Sequence, residues 1–276
     1  MKIGFMQGRL SPIFRKKIQS FPWNYWRKEI IIAKKNNFNL IEWTLDYPGL
    51  LNNPLISSKE QKGTLFFLKK NKMSVNSVTC DFFMQEPFFL IKNKKKRESN
   101  INNLAQVIKE LINAKIKFII IPLVDKSSIK STFQEKLVVK EFNKIIKNLN
   151  TNNCKIKILF EIDYSPFKLK NFIKKFSQNF FGINYDSGNS ASLNYNIDEE
   201  FNYYGNRILN VHIKDRVKYG KTIKLGHGNV NFLKLKKNLR KIHYDGNLIL
   251  QTARNLYGKH LNELIDNRNF LIKNLN

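Results

Sequence analysis

Three apolar runs in this sequence end in groups able to hold a cation. Ile156-Lys157-Ile158-Leu159-Phe160-Glu161-Ile162-Asp163 closes on carboxylates, and Phe181-Gly182-Ile183-Asn184-Tyr185-Asp186 closes on another. Arg207-Ile208-Leu209-Asn210-Val211-His212-Ile213-Lys214-Asp215-Arg216 ends in an imidazole crowded by charge. A near-continuous run with β-branched residues reads as a parallel strand covered on both faces. Polar groups gathered at its C-terminal end mark where a barrel or open α/β sheet holds its substrate. A lone histidine in such a place is most simply structural. The company of Glu161 and Asp186 points instead to mixed oxygen and nitrogen ligands for one divalent metal ion, Mn²⁺, Mg²⁺, Co²⁺ or Zn²⁺.

Bringing three strand ends to one point requires a parallel sheet. The apolar patterning predicts strands at 2–6, 39–43, 74–80, 117–124, 156–163, 181–186, 207–213 and 247–252. Helical signals fall between them, at 23–37, after a capping box at Ser57-Ser58-Lys59-Glu60, at 99–114, 134–150, after Pro166, and at 231–241 and 261–275. Thr151-Asn152-Asn153 reads as a turn, and the connection after Asn189 as irregular. Strand-then-helix units recurring at roughly 30-residue intervals imply an α/β fold, a (β/α)8 TIM barrel forming a single domain over 1–276.

The bulk numbers agree. A chain of 276 residues accommodates such a barrel, which needs about 250. Apolar content of 42% and aromatic content of 13% are globular values. No apolar run approaches the ~20 residues that cross a bilayer, and Met1-Lys2-Ile3-Gly4-Phe5 lacks a signal-peptide core, so a cytoplasmic location is expected. Cys80 and Cys154 have no CxxC spacing and read as reduced, structural thiols. The net charge of +28, from 49 Lys+Arg against 21 Asp+Glu, would suit a polyanion partner if it were clustered. The lysines are instead spread along the chain together with many Asn, Ile and Phe, as AT-rich coding would impose. Nucleic acid is therefore not the expected partner. The densest run, Lys92-Asn93-Lys94-Lys95-Lys96-Arg97, reads as a solvated face just before a helix.

Several motifs in order carry a resemblance: Met1-Lys2-Ile3-Gly4-Phe5-Met6-Gln7-Gly8-Arg9-Leu10-Ser11-Pro12, Phe160-Glu161-Ile162-Asp163, Asp186-Ser187-Gly188-Asn189, His212-Ile213-Lys214-Asp215 and Leu225-Gly226-His227-Gly228. Together they resemble the sugar phosphate isomerase/epimerase group of the xylose isomerase-like barrels over nearly the whole chain. The resemblance implies a metal held by Glu, Asp, His and a second Glu from strands five to eight. Glu161, Asp186 and His212 match the first three, and the fourth falls on Gln251. A glutamine oxygen still coordinates a hard cation, but it adds no charge and moves no proton.

The implied chemistry is removal of a proton α to a sugar carbonyl, through an enediolate that a Lewis-acidic ion stabilises. Epimerases of the group use two glutamates on opposite faces. Here Glu161 is the base that remains, which favours isomerase-type transfer on one face, with His227 or Lys214 as substitute acids. The expected partner is a small-molecule sugar or sugar phosphate, with assembly into a homo-oligomer left open. For a phosphate the candidate cations are Arg9, Arg216 and Arg254, with Lys221 and Lys224. Asn189 and His227 are candidates for sugar hydroxyls. Glu42, in an apolar strand, either binds a substrate hydroxyl or pairs with a neighbouring Arg or Lys. Asp81 borders the substrate by resemblance, while its own position at a strand end reads as a cap. Three readings compete: a sugar or inositol dehydratase, a non-catalytic carbohydrate-binding barrel, and an apurinic endonuclease-like DNA-binding protein. The last needs three zinc ions and several histidines, and this chain has four histidines in all.

Overall fold

Eight strands pair in parallel and close on themselves, each supplying one side chain in two to the interior. The structure is a computed structural model that describes residues 1–13, 18–149, 156–254 and 258–275. The strands are β1 (Lys2–Met6), β2 (Ile41–Leu45), β3 (Ser77–Cys80), β4 (Phe118–Leu123), β5 (Lys157–Ile162), β6 (Phe181–Asp186), β7 (Ile208–Ile213) and β8 (Asn247–Leu250). Around the barrel they run in sequence order, and β8 closes it against β1 through Lys2↔Asn247 to Phe5↔Leu250. A short antiparallel pair, Asp215–Arg216 with Thr222–Ile223, stands on the loop after β7.

The helices are α1 (Trp26–Lys35), α2 (Gln61–Lys70), α3 (Asp81–Gln85), α4 (Lys94–Asn113), α5 (Thr132–Asn148), α6 (Pro166–Ile173), α7 (Ser187–Ser192), α8 (Ile197–Tyr204), α9 (Phe232–Lys241) and α10 (His260–Leu275). The main core fills the shell between strands and helices. There Phe142 of α5 packs against Phe83, Phe88 and Phe160 at centroid distances of 5.9, 6.1 and 5.2 Å. The exposed faces of α1, α2, α4, α5 and α9 carry lysines, so charge is dispersed over the helical exterior. No helix among the described residues is long and apolar enough to cross a membrane.

Several local expectations are corrected. The second strand begins two residues later than its apolar run suggests, at Ile41, and holds Glu42 as expected. Ser57 caps nothing: α2 starts at Gln61 after a turn in which the Ser57 carbonyl accepts from the Glu60 and Gln61 amides. Lys94–Arg97 of the basic run lie inside α4, because Asn93 accepts from the Lys96 amide and starts the helix there, a cap worth about 1 kcal/mol. Asp186 likewise accepts from the Asn189 amide and opens α7, where an irregular connection was expected. Beyond Asp81, Phe82, Phe83 and Phe88 are buried in the core. Cys80 is free and buried. Cys154 and the Thr151-Asn152-Asn153 turn lie outside the described residues.

Register sets the heights of the inward groups. Asp186 and Ile249 both pair with His212, from the two strands flanking β7. Side chains two apart on a strand share a face, so Asn184 lies beneath Asp186, Asn210 beneath His212, and Ser77 beneath Thr79. Barrel interiors of this kind are ordinarily filled by Val, Ile and Leu. Here much of the interior is polar, and Met6, Leu40 and Ile249 form only a small separate apolar cluster.

Candidate metal centre

Glu161 near the end of β5, Asp186 at the end of β6 and His212 in β7 are all buried, and their ligand atoms lie within 4.8 Å of one another. Among the described residues this is the one group of three or more His, Cys, Asp or Glu side chains so arranged. Gln251 follows β8, its amide N–H donating to the Ile213 carbonyl at 3.0 Å. It stands two residues beyond the inward-facing Ile249, hence on the same face.

His212 is held from both sides. Its Nε2 is 2.6 Å from Glu42 Oε1, and its Nδ1 is 2.9 Å from Glu161 Oε2. The second contact is close but off the line a hydrogen bond needs, so Nδ1 is a buried polar atom without an aligned partner. Gln251 Oε1 is buried and unpartnered as well. A bound cation would satisfy both atoms, and two carboxylates, an imidazole and an amide oxygen form a donor set suited to a hard or borderline divalent ion. The residues present therefore fit the ion that the sequence implies.

Glu42 has a different place from the one expected. It is fully buried, and its oxygens are taken up by neighbours other than a substrate hydroxyl, an Arg or a Lys. Oε1 accepts from Thr79 at 2.5 Å and contacts His212, while Oε2 accepts from Ser77 at 2.6 Å and from Asn210 at 3.0 Å. A carboxylate on the far nitrogen of a ligating histidine fixes the ring and raises its basicity. Asn210 also donates to Asn184 Oδ1 at 2.8 Å, and Asn184 donates to Glu161 Oε2 at 2.8 Å. Glu42 and Glu161 are thus joined beneath the centre as well as through His212. Replacing Glu42 with alanine leaves His212, Ser77, Thr79 and Asn210 without their common acceptor. The expected cost is about 3–5 kcal/mol of stability in urea titration, and the charge-preserving Glu42→Asp loses less.

The charges follow from this packing. Burial disfavours an imidazolium, but the flanking Glu42 and Glu161 carboxylates overcome it and push the His212 pKa up to about 10. Burial likewise opposes the ionised forms of Glu42 and Glu161, and His212 outweighs it, so both lie below the usual carboxylate range. Asp186 is raised, chiefly by burial, against the pull of the Lys214 ammonium 2.8 Å from its Oδ2.

Other expected residues divide into two sets. Asn189 reaches the centre, donating to Glu161 Oε1 at 2.9 Å and accepting from Arg216 Nη1 at 2.8 Å. Lys214 reaches it through Asp186. The three arginines mostly tie mouth loops together. Arg216 gives Nε and Nη2 to the Gly220 carbonyl. Arg9 gives Nε to Thr252 O at 3.1 Å and Nη1 to Ile18 O at 3.2 Å, and Arg254 donates to the Ser11 and Ile18 carbonyls. Asp81 accepts from Gln19 Nε2 at 2.7 Å, and burial pushes its carboxyl up to about 7. His227 is exposed and makes no side-chain contact with the centre. Its glycine-flanked turn wraps the buried Asp215, whose oxygens accept from the Gly226, Gly228 and Val230 amides, and a Cβ on Gly228 would run into that carboxylate.

The sequence reading passed over Asn184, Asn210, Gln19 and Glu29. The two asparagines carried a signal, since Asn-x-Asp and Asn-x-His place a polar side chain on the same face as each ligand. Glu29 of α1 accepts from the Gly8 and Leu10 amides at 2.9 Å, fixing the turn that presents Arg9, and burial pushes its carboxyl up to about 7. Gly8 holds a φ of 90° there, a conformation suited to glycine.

Comparison with known proteins agrees with this architecture. A Haemophilus influenzae protein with a proposed L-ribulose-5-phosphate 3-epimerase activity, SgbU, is 23% identical over 265 residues, covering 91% of each chain. The crystal structure of D-psicose 3-epimerase with D-tagatose from Clostridium cellulolyticum H10 superposes with a TM-score of 0.75 at 14% identity, over 100% of this chain and 99% of the other. The structure of the IolI protein with a bound zinc atom gives 0.75 at 13% identity, over 100% and 98%. Residues 30–273 match the profile of the xylose isomerase-like TIM barrel, and with its closed parallel barrel the chain belongs to that family.

Proposed function

We propose that this protein is a sugar or sugar phosphate isomerase or epimerase, working by proton transfer at the carbon next to a carbonyl, with one divalent ion held by Glu161, Asp186, His212 and Gln251. The observation that carries the reading is the state of Glu161. It is a buried carboxylate kept ionised beside His212, with Asn189 on one oxygen and Asn184 on the other. Being ionised, Glu161 has a free lone pair to take a proton, and the two amides fix its direction. When bound, the ion would polarise the sugar's carbonyl and hydroxyl oxygens and so acidify the C–H between them. Gln251 cannot take or return a proton, so Glu161 moves it between adjacent carbons on one face. Lys214, whose ammonium stands at Asp186, is the acid nearest to hand. The sugar class is supported by the two epimerases among the similar proteins.

The test is proton exchange. Protein loaded with Mn²⁺ is incubated in D₂O with a panel of pentuloses, hexuloses and their phosphates, and followed by NMR. The expected result is deuterium at one carbon of one ketose series, with an isomerised or epimerised product. A dehydrated product reassigns the chain to β-elimination. Sugar binding without exchange for any member makes it a carbohydrate-binding barrel.

A further inference from the structure

Gln251 offers an oxygen and an amide nitrogen of nearly the same shape, and only the oxygen can ligate a cation. Its orientation is decided outside the ligand group. Gln19 Nε2 donates to Asp81 Oδ2 at 2.7 Å. Above the value of about 7 to which burial pushes it, the Asp81 carboxylate only accepts, so Gln19 turns its nitrogen to Asp81 and its oxygen the other way. That oxygen accepts from Gln251 Nε2 at 3.1 Å and from Arg9 Nη2 at 3.4 Å. Arg9 can only donate, which sets Gln19 the same way independently. Gln251 therefore spends its nitrogen on Gln19, and its buried oxygen is the end left without a partner.

We propose that Gln19 is a positioning residue: with Asp81 it forms a directional relay that locks the Gln251 amide with its oxygen toward Glu161, Asp186 and His212, so that a glutamine serves as the fourth ligand. The proposal rests on the metal-site reading above. It carries a consequence for the residue type at position 251. A glutamate there would set an acceptor against the Gln19 oxygen. Turning Gln19 round would relieve that contact only by setting its oxygen against Asp81. The relay is thus matched to glutamine, and a carboxylate becomes compatible when Asp81 is replaced by a donor. In Asp81→Asn the introduced side-chain amide donates to Gln19 Oε1, and Gln19 Nε2 then donates to a carboxylate at 251, while Arg9 Nη2 gives up its long 3.4 Å bond to Gln19 and faces the same carboxylate.

The experiment is a double-mutant cycle of Gln251→Glu and Asp81→Asn, read by melting temperature in chelator and by Mn²⁺ affinity. It is run at pH 8, above the value of about 7 to which burial pushes the Asp81 carboxyl. In chelator, Gln251→Glu should lower the melting temperature, and adding Asp81→Asn should restore about 2–4 °C of the loss. That coupling should vanish in a Gln19→Ala background, whereas direct charge repulsion between positions 81 and 251 would survive there. Gln19→Ala alone should weaken Mn²⁺ binding about 10–100-fold, the range for residues that orient a ligand. Additive effects, or coupling that persists without Gln19, overturn the relay even if Mn²⁺ binds. A wild-type chain that takes up no Mn²⁺ overturns the metal reading and, with it, the ligand-orienting role of Gln19.

Discussion

Replacing Glu161 with glutamine should lower the rate of sugar proton exchange by about 10²–10⁴-fold, the range for loss of a positioned general base, while the barrel stays folded. Glutamine keeps the volume of the side chain but cannot accept the proton. It also offers one oxygen where Asn184 and Asn189 each donate to a carboxylate oxygen, so one of those amides loses its acceptor. Part of any loss would come through the ion, because a charged ligand is gone. The comparison is therefore made at saturating Mn²⁺, with Mn²⁺ affinity and melting temperature measured on the same samples. Loss of exchange with the ion bound and the fold intact assigns the proton to Glu161. Undiminished turnover would remove Glu161 from the role and turn attention to Lys214 first, since its ammonium is 2.8 Å from Asp186 while His227 is exposed.

Mn²⁺ affinity should rise steeply with pH, roughly tenfold per unit, or about a hundredfold from pH 6 to pH 8. In the metal-free protein His212 is an imidazolium, its pKa pushed to about 10 by Glu42 and Glu161 against the effect of burial. An ion can use Nδ1 only after the proton leaves, so proton and metal compete until the pH passes about 10. Calorimetry in two buffers of unequal ionisation enthalpy counts the protons released, and at least one per ion is expected. The stability of the metal-free protein has the matching dependence. A histidine raised above its unfolded value of 6.5 contributes stability that is full below that value and lost as pH rises through about 10. In chelator the melting temperature should therefore fall over that window, and saturating Mn²⁺ should flatten the fall. A pH-independent affinity would mean that His212 is neutral without metal and that Glu42 and Glu161 do not hold its proton.

Much of the centre was legible in the sequence, because Glu161, Asp186 and His212 stand at or near strand ends, and strand ends announce themselves locally. An apolar run that stops at a carboxylate or an imidazole is a pattern of a few residues, and Glu161, Asp186 and His212 each carry it. The alternation of strand and helix is local too, and eight such units leave a closed parallel barrel as the way to pair every strand. Helix starts were less legible. Ser57-Ser58-Lys59-Glu60 is a good capping box as a string, yet α2 begins at Gln61, whose side chain donates to the Leu55 and Glu110 carbonyls at 2.8 and 3.0 Å.

Tertiary structure alone decided the partners. The sequence shows that Glu42 is a carboxylate in an apolar strand that needs a partner, yet that partner is His212, 170 residues away across the barrel. Gln19 meets Gln251 over a separation of 232 residues, and Arg9 meets the Thr252 carbonyl over 243. These contacts exist because β8 closes against β1 and brings the two ends of the chain to one side of the mouth. Periodicity tells which face of a strand a side chain takes, since that depends on its immediate neighbours. Which side chain it meets depends on the order and register in which distant strands close, and those are set by the packing of the whole barrel.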